Sequence, residues 1–126
     1  MALYAYLFIR SGEIVSAPHA HAPLPAGIDN ESAETLANAF SLLSDPSRLR
    51  ILFALLEGGA MCVSDVAAVA GLGDSATSHQ LAKLRGAGVV RSARQGREIW
   101  YQVSDAHIRV LLDVAAEHYL GPDGAL

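Results

Sequence analysis

The chain has a single cysteine, Cys62, in 126 residues. No intrachain disulfide framework can staple it, so a reducing compartment is the expected setting. Aromatic residues are scarce, with one Trp, three Phe and four Tyr. The apolar content falls mainly to Ala, Leu and Val, a mixture that suits helices better than sheets. No apolar run approaches the ~20 residues a membrane-spanning helix needs. The longest candidate, Met1 to Ile9, has no basic segment ahead of it and no clear small-residue cleavage site, which makes it a poor secretory signal as well. These absences predict a cytoplasmic protein with no membrane partner. Ser, His and Asp residues occur, but no nucleophile motif or glycine-rich phosphate loop accompanies them, which argues against an enzyme.

What is present begins with enough apolar residues, 52% of the chain, to build a core and exclude wholesale disorder. The length fits one compact domain. The formal net charge of −4 at first argues against a nucleic-acid partner. Where the charges sit matters more than their sum. Lys83, Arg85, Arg91, Arg94 and Arg97 supply five of the nine basic residues within fifteen positions, and no Asp or Glu interrupts Ser75 to Arg97. An acidic chain with one purely basic segment points to a local anionic partner.

Residues 1–28 read as an N-terminal arm, partly extended or disordered, because Pro18, Pro23 and Pro25 fall between Ala17 and Gly27 and proline removes backbone donors. Met1 to Ile9 reads as a short strand or helix, or as residues ahead of the natural start. The domain proper is expected over 29–121, with a short tail over 122–126. From Asn30 the pattern is helical: Leu36, Phe40 and Leu43 recur at three- and four-residue spacing, and Glu31 and Glu34 lie near the start, where the helix dipole favours them. Asp45-Pro46 reads as an N-cap followed by proline at the first helical position. Leu49, Leu52 and Leu56 mark the inner face of this second helix, which Gly58-Gly59 ends. A third helix is expected from Ser64 to Ala70, stopped by Gly71-Leu72-Gly73. A fourth is capped by Asp74 or Ser75, runs to Arg85 and ends at Gly86 or Gly88. Two helices separated by a short glycine-containing turn make a helix-turn-helix.

The period then changes. Val89 to Arg91 and Ile99 to Val103 read as strands joined through Gln95-Gly96, a plausible hairpin turn. Ser104 or Asp105 caps a last helix with Ile108, Leu111, Leu112, Ala115 and Tyr119 along one apolar stripe. The fold expected is mainly α with a small β-hairpin wing: a winged helix-turn-helix, dimerised through its first and last helices. The fourth helix opens Ser75-Ala76-Thr77-Ser78-His79-Gln80, short polar side chains that suit a recognition helix in a major groove, with Gln80 able to pair bidentately with adenine. Lys83, Arg85, Arg94 and Arg97 suit phosphates. The expected partner is double-stranded operator DNA.

These segments carry a family resemblance. Leu43-Ser44-Asp45-Pro46-Ser47-Arg48-Leu49-Arg50-Ile51-Leu52 resembles the second-helix signature of the ArsR/SmtB repressors. Ser78-His79-Gln80-Leu81, Leu84-Arg85 and Ala87-Gly88-Val89-Val90 resemble their recognition helix and its exit, and Arg94-Gln95-Gly96-Arg97 to Tyr101 resembles their wing. The likeness covers about residues 32 to 120. It implies a metal-responsive repressor that leaves its operator when metal binds.

The last helix bears the candidate ligands. His107 and His118 are eleven residues apart, so on a helix they point within about 20° of each other but lie ~16 Å apart along the axis. One ion joins them only if two copies of the helix pack antiparallel, which yields two symmetric sites in a homodimer. With Asp105 they suit a tetrahedral zinc site, cadmium, cobalt or nickel staying open. The Asp-x-His, ten residues, His spacing resembles the family's zinc-sensing site. The family commonly places a further ligand three residues after the second His, and here that position is Gly121. Glu117, Asp123, water or the arm must then complete the set. A second candidate site combines Cys62 and Asp65 with His19 and His21 from the arm; it resembles the family's other sensing motif with Ser64 in place of a second cysteine. Two other readings stay open: a winged-helix regulator answering a redox signal at Cys62 or some other ligand, and a winged helix used only as a protein-interaction module.

Overall fold

The computed structural model describes residues 9–10, 13–14 and 23–121. In chain order these form β1 (Ile9–Arg10), β2 (Glu13–Ile14), α1 (Asn30–Leu43), α2 (Pro46–Gly58), β3 (Met61–Cys62), α3 (Val63–Ala70), α4 (Asp74–Gly86), β4 (Val90–Gln95), β5 (Glu98–Val103) and α5 (Ala106–Leu120). Contacts divide the chain into two units, residues 1–36 and 37–126. In the first, β1 and β2 pair antiparallel with Ile9 opposite Ile14, so the expected arm contains a short hairpin. Asp29 opens α1 by accepting from the Ser32 backbone N–H at 2.7 Å, a bond that holds its carboxyl below the usual carboxylate range. Most of Met1 to Ile9, together with His19, His21 and the 122–126 tail, lies outside the described residues.

In the second unit α2 begins as its sequence dictates. Asp45 Oδ2 accepts from the Arg48 backbone N–H at 3.0 Å, and Pro46 takes the first turn, where no intrahelical donor is missed. Ile51, Leu52, Ala54, Leu55 and Leu56 of α2 are buried. Against them pack Val66 and Ala70 of α3, Leu81 and Leu84 of α4, Val89, Val90, Tyr101 and Leu112. Each large side chain in this set contributes on the order of 1.5–3 kcal/mol by leaving water. Gly71 turns α3 into α4 at φ 71, a left-handed conformation that penalises a Cβ. The Leu72 N–H then reaches back to the Ala67 carbonyl at 2.9 Å. Neither Asp74 nor Ser75 caps α4: the capping position is Gly73, and Asp74 is the first helical residue.

The sheet has the order β3-β5-β4. Its wing is longer at the tip than the apolar pattern indicates, because β4 starts at Val90 and continues through Ser92, Ala93, Arg94 and Gln95. Gln95 pairs with Glu98, so the turn is Gly96-Arg97 and not Gln95-Gly96. Gly96 has φ 65, the positive angle that a two-residue hairpin demands at this position. The third strand pairs Met61 with Tyr101 and Cys62 with Trp100. Two residues are too few to display an alternation in the sequence. α3 accordingly starts at Val63, one residue earlier than expected.

Asp105 caps α5, its Oδ1 accepting from the His107 and Ile108 N–H groups at 2.8 and 3.2 Å. Of the apolar stripe on α5, Leu112 is buried and Ile108 packs against the core. Leu111 and Tyr119 are 40% and 76% exposed, and Ala115 is exposed too. α1 buries no residue, and Phe40 is 54% exposed. Both helices therefore present apolar side chains that the described residues leave exposed.

Thr77 is fully buried in α4, and its Oγ1 is the one buried side-chain polar atom without a partner among the described residues. A buried hydroxyl left unbonded costs about 1–3 kcal/mol, so Thr77→Val, which keeps the shape, is expected to stabilise the fold by ~1 kcal/mol. Urea denaturation with an unchanged slope and a raised midpoint checks this; a lowered midpoint would show that the hydroxyl is bonded.

Candidate nucleic-acid interface and metal-ligating residues

The buried residues of α4, Thr77, Leu81 and Leu84, are spaced four and three apart and so define one face. The opposite face, at 100° per residue, is centred on Ser75, His79 and Ala82, flanked by Ser78 and Lys83. All five are exposed. Thr77 is thus corrected from a base-contacting residue to a core residue. Gln80 lies at the edge of the outer face, half-buried, and its Oε1 accepts from Arg48 Nε at 2.8 Å. The bidentate adenine contact expected of it requires that same oxygen.

Arg85 is exposed on α4 and its guanidinium lies 3.4 Å from Ser92 Oγ on the wing. Arg94 is exposed on β4, and Arg97 stands in the wing turn. Arg91 faces Gln102 on β5, whose amide oxygen accepts from it. Lys83, Arg85, Arg94 and Arg97 thus sit on the outer surface of α4 and the wing, with no acidic residue between Ser75 and Arg97. The acid that closes the run, Glu98, accepts from Cys62 Sγ at 3.2 Å.

At the start of α5, His107 is 97% exposed, with Nδ1 3.6 Å from Asp105 Oδ1. The capping bonds use Oδ1 of Asp105 and leave Oδ2 available. At the far end His118 is exposed and meets Tyr119 edge-on, ring centroids 4.8 Å apart. Glu117 beside it is exposed. Among the described residues no three His, Cys, Asp or Glu side chains of one chain converge as a metal site. Carboxylate and imidazole donors in pairs are chemically suited to zinc, but a full ligand set requires donors from elsewhere.

Cys62 is half-buried at the junction of β3 and α3. Its thiol is pushed up to about 11, first by partial burial, then by its hydrogen bond to Glu98 and the charges of Glu98 and Asp65. Asp65 is exposed in the first turn of α3; of the second candidate set only these two residues are described.

Three side chains that matter here have partners no local motif announces. Arg48 meets Gln80, Cys62 meets Glu98, and the Arg109 guanidinium donates to the Leu56 carbonyl at 2.7 Å. Those partners stand 32, 36 and 53 residues away in sequence, so only the packed fold reveals them.

The raised Cys62 thiol shifts the thiolate population well above neutral pH. Alkylation by iodoacetamide at pH 8 is expected to run roughly tenfold to a hundredfold slower than on a free thiol and to climb steeply towards pH 11. Glu98→Gln removes the nearest negative charge and should accelerate the reaction; an unchanged rate would disprove the Glu98 contribution.

The comparisons with known proteins agree with this geometry. Residues 45–92, which span α2 to the first half of the wing, match the family described as "Bacterial regulatory protein, arsR family". The chain is 42% identical over 93 residues to the HTH-type transcriptional regulator NmtR of Mycobacterium tuberculosis, covering 74% of this chain and 77% of NmtR. It is similar to the solved AntR antimony-specific transcriptional repressor, with a TM-score of 0.67 and 33% identity over 72% of this chain and 82% of that one. It is also similar to a homodimeric winged helix-turn-helix DNA-binding domain from Mycobacterium bovis, with a TM-score of 0.61 and 28% identity over 75% and 93% of the two chains. An HTH pair closed by a three-stranded wing, matched at this level along most of its length, settles the assignment: the chain belongs to the ArsR family of bacterial regulatory proteins, winged helix-turn-helix transcription regulators and not enzymes.

Proposed function

We propose that this protein is a cytoplasmic, metal-responsive repressor that holds operator DNA as a homodimer and releases it when zinc or a similar divalent ion binds. The observation that carries the DNA half is the setting of α4: its apolar face is locked in the core while Ser75, Ser78, His79 and Lys83 face outward. That arrangement suits base edges in a major groove, with Arg85, Arg94 and Arg97 on flanking phosphates.

The dimer reading rests on apolar residues that one chain leaves in water. Phe40 on α1 and Val110, Leu111 and Val114 on α5 are between 40% and 59% exposed, and covering each is worth on the order of 1 kcal/mol. A two-fold pairing of α5 brings Asp105 and His107 of one protomer near His118 of the partner subunit. Glu117 remains a tentative fourth donor, since Gly121 offers no side chain. An ion held there supplies a cross-link between protomers that favours one relative orientation of the two reading heads. The exposure of His107 and the unused Asp105 Oδ2 support this set. The antimony specificity of AntR is in keeping with metal as the class of effector. Cys62 and Asp65, with His19 and His21, stay a second candidate set, and the suppressed thiolate of Cys62 weighs against a redox signal there.

The test is equilibrium binding of the apo protein to its own upstream DNA, followed by fluorescence anisotropy across a salt series and a zinc titration. Binding should weaken steeply with salt, and zinc should weaken it by about tenfold or more, the range of an ordinary coupling energy. His107→Ala with His118→Ala should bind DNA normally and ignore zinc. Zinc-driven release intact in that double variant would overturn the α5 site, and salt-insensitive failure to bind any duplex would favour a protein-interaction module.

A further inference from the structure

Arg48 lies in the first turn of α2, half-buried, and its guanidinium touches two other helices. Nη1 donates to the Leu42 carbonyl at 3.0 Å and Nε to Gln80 Oε1 at 2.8 Å. Leu42 belongs to the last turn of α1, where carbonyls lack intrahelical partners. Gln80 belongs to α4. A guanidinium carries only donors, so the atom of Gln80 that faces it has to be the oxygen. The amide orientation is thereby fixed by chemistry. Gln80 Nε2 has no protein partner among the described residues and is not sealed from solvent.

We infer that Arg48 is a positioning residue which turns Gln80 into a donor-only reader of base edges, an inference resting on the DNA-binding reading above. A free glutamine presents its oxygen and nitrogen side by side and selects adenine, which offers the N6 donor and the N7 acceptor together. With Oε1 held inward by Arg48, the amide nitrogen remains. It finds an acceptor on adenine N7, on guanine N7 or O6 and on thymine O4, whereas cytosine presents a donor. The tied Gln80 therefore tolerates adenine and guanine alike at the base it meets and disfavours cytosine. The same guanidinium anchors the end of α1, so the reading amide is referenced to that helix as well as to α2.

The experiment uses the full-length apo protein and a panel of duplexes from its own upstream DNA, each carrying one of the four base pairs at each operator position. The position read by Gln80 is the one whose discrimination disappears in Gln80→Ala. There the wild type should bind adenine and guanine within about threefold of each other, and Arg48→Met should raise the adenine preference to about fivefold or more, the low end of a bidentate contact. A uniform loss over all duplexes with the base profile unchanged would make Arg48 merely structural and overturn the inference. So would a wild type that already prefers adenine over guanine by that margin. Should Arg48→Met fail to fold by circular dichroism, Gln80→Glu carries the test, because its carboxylate keeps the tie to Arg48 but has no donor. It should fold as the wild type does and lose about tenfold or more in affinity; retained affinity overturns the inference. A wild type that binds no duplex at any salt overturns the DNA-binding reading itself, a result distinct from all of these.

Discussion

The rotation of α4 about its own axis is the constraint on which the rest depends. Leu81 and Leu84 are fully buried, and moving either to the surface would forfeit on the order of 2–5 kcal/mol of packing. Since each residue advances the helix by 100°, a slip of a single position would put Ser78, Ala82 and Arg85, or Ala76, Gln80 and Lys83, where Thr77, Leu81 and Leu84 now sit. The core therefore decides which side chains face outward, and it does so by apolar burial that takes no part in recognition itself. Thr77 shows how strict the division is: a polar residue at a core position is buried even though its hydroxyl finds no partner. Two guanidiniums then fasten the surrounding helices. Arg48 ties α1 to α4, and Arg109 ties α5 to the end of α2 by bonding a carbonyl that the helix cannot satisfy.

The flanking helices follow a different logic. Contiguous exposed apolar residues often mark an interaction site, and here Val110, Leu111, Val114 and Tyr119 of α5 are exposed. A copy of the same helix is one way to cover such a patch, because a two-fold axis brings the same face of both protomers together. The proposed metal ligands obey the same logic. Asp105 and His107 sit at one end of α5 and His118 at the other, a distribution that makes no sense for a site within one chain and good sense across a symmetry axis. The apolar exposure is observed and the ligand set is proposed, and a second protomer would answer both.

Much of this was legible in the sequence because the fold's main signals are local. Asp45-Pro46 opens α2 and Asp105 caps α5, as capping chemistry dictates. The glycine turn before α4 and the hairpin of the wing follow from glycine's access to positive φ. The misses have physical causes too. Composition marks a polar helix start at Thr77 without stating its phase against the core; Leu81 and Leu84, four and seven positions on, carry that phase. The turn was placed one residue early because ladder register depends on the partner strand. Strand β3 was missed because two residues have no period. The tie between Arg48 and Gln80 joins residues from two helices, and no pattern along one chain segment encodes it.

The acidic net charge raises a final question: how a chain carrying −4 would approach a polyanion. Screening provides the answer. At physiological ionic strength charges separated by more than about 8 Å scarcely sense one another, so the phosphates respond to the surface they meet and not to the sum. That surface, the outer face of α4 and the wing, carries Lys83, Arg85, Arg94 and Arg97 with no acid between Ser75 and Arg97. Glu98, the acid nearest the wing tip, has its Oε2 engaged by the Cys62 thiol, on the strand edge beside β3. Acids away from that surface, such as Asp113 and Glu117 on α5, repel a phosphate backbone that meets them instead. For the DNA-binding role proposed above, a basic surface set among acids would favour one orientation on DNA more strongly than a uniformly basic one, and would give up non-specific affinity to do so.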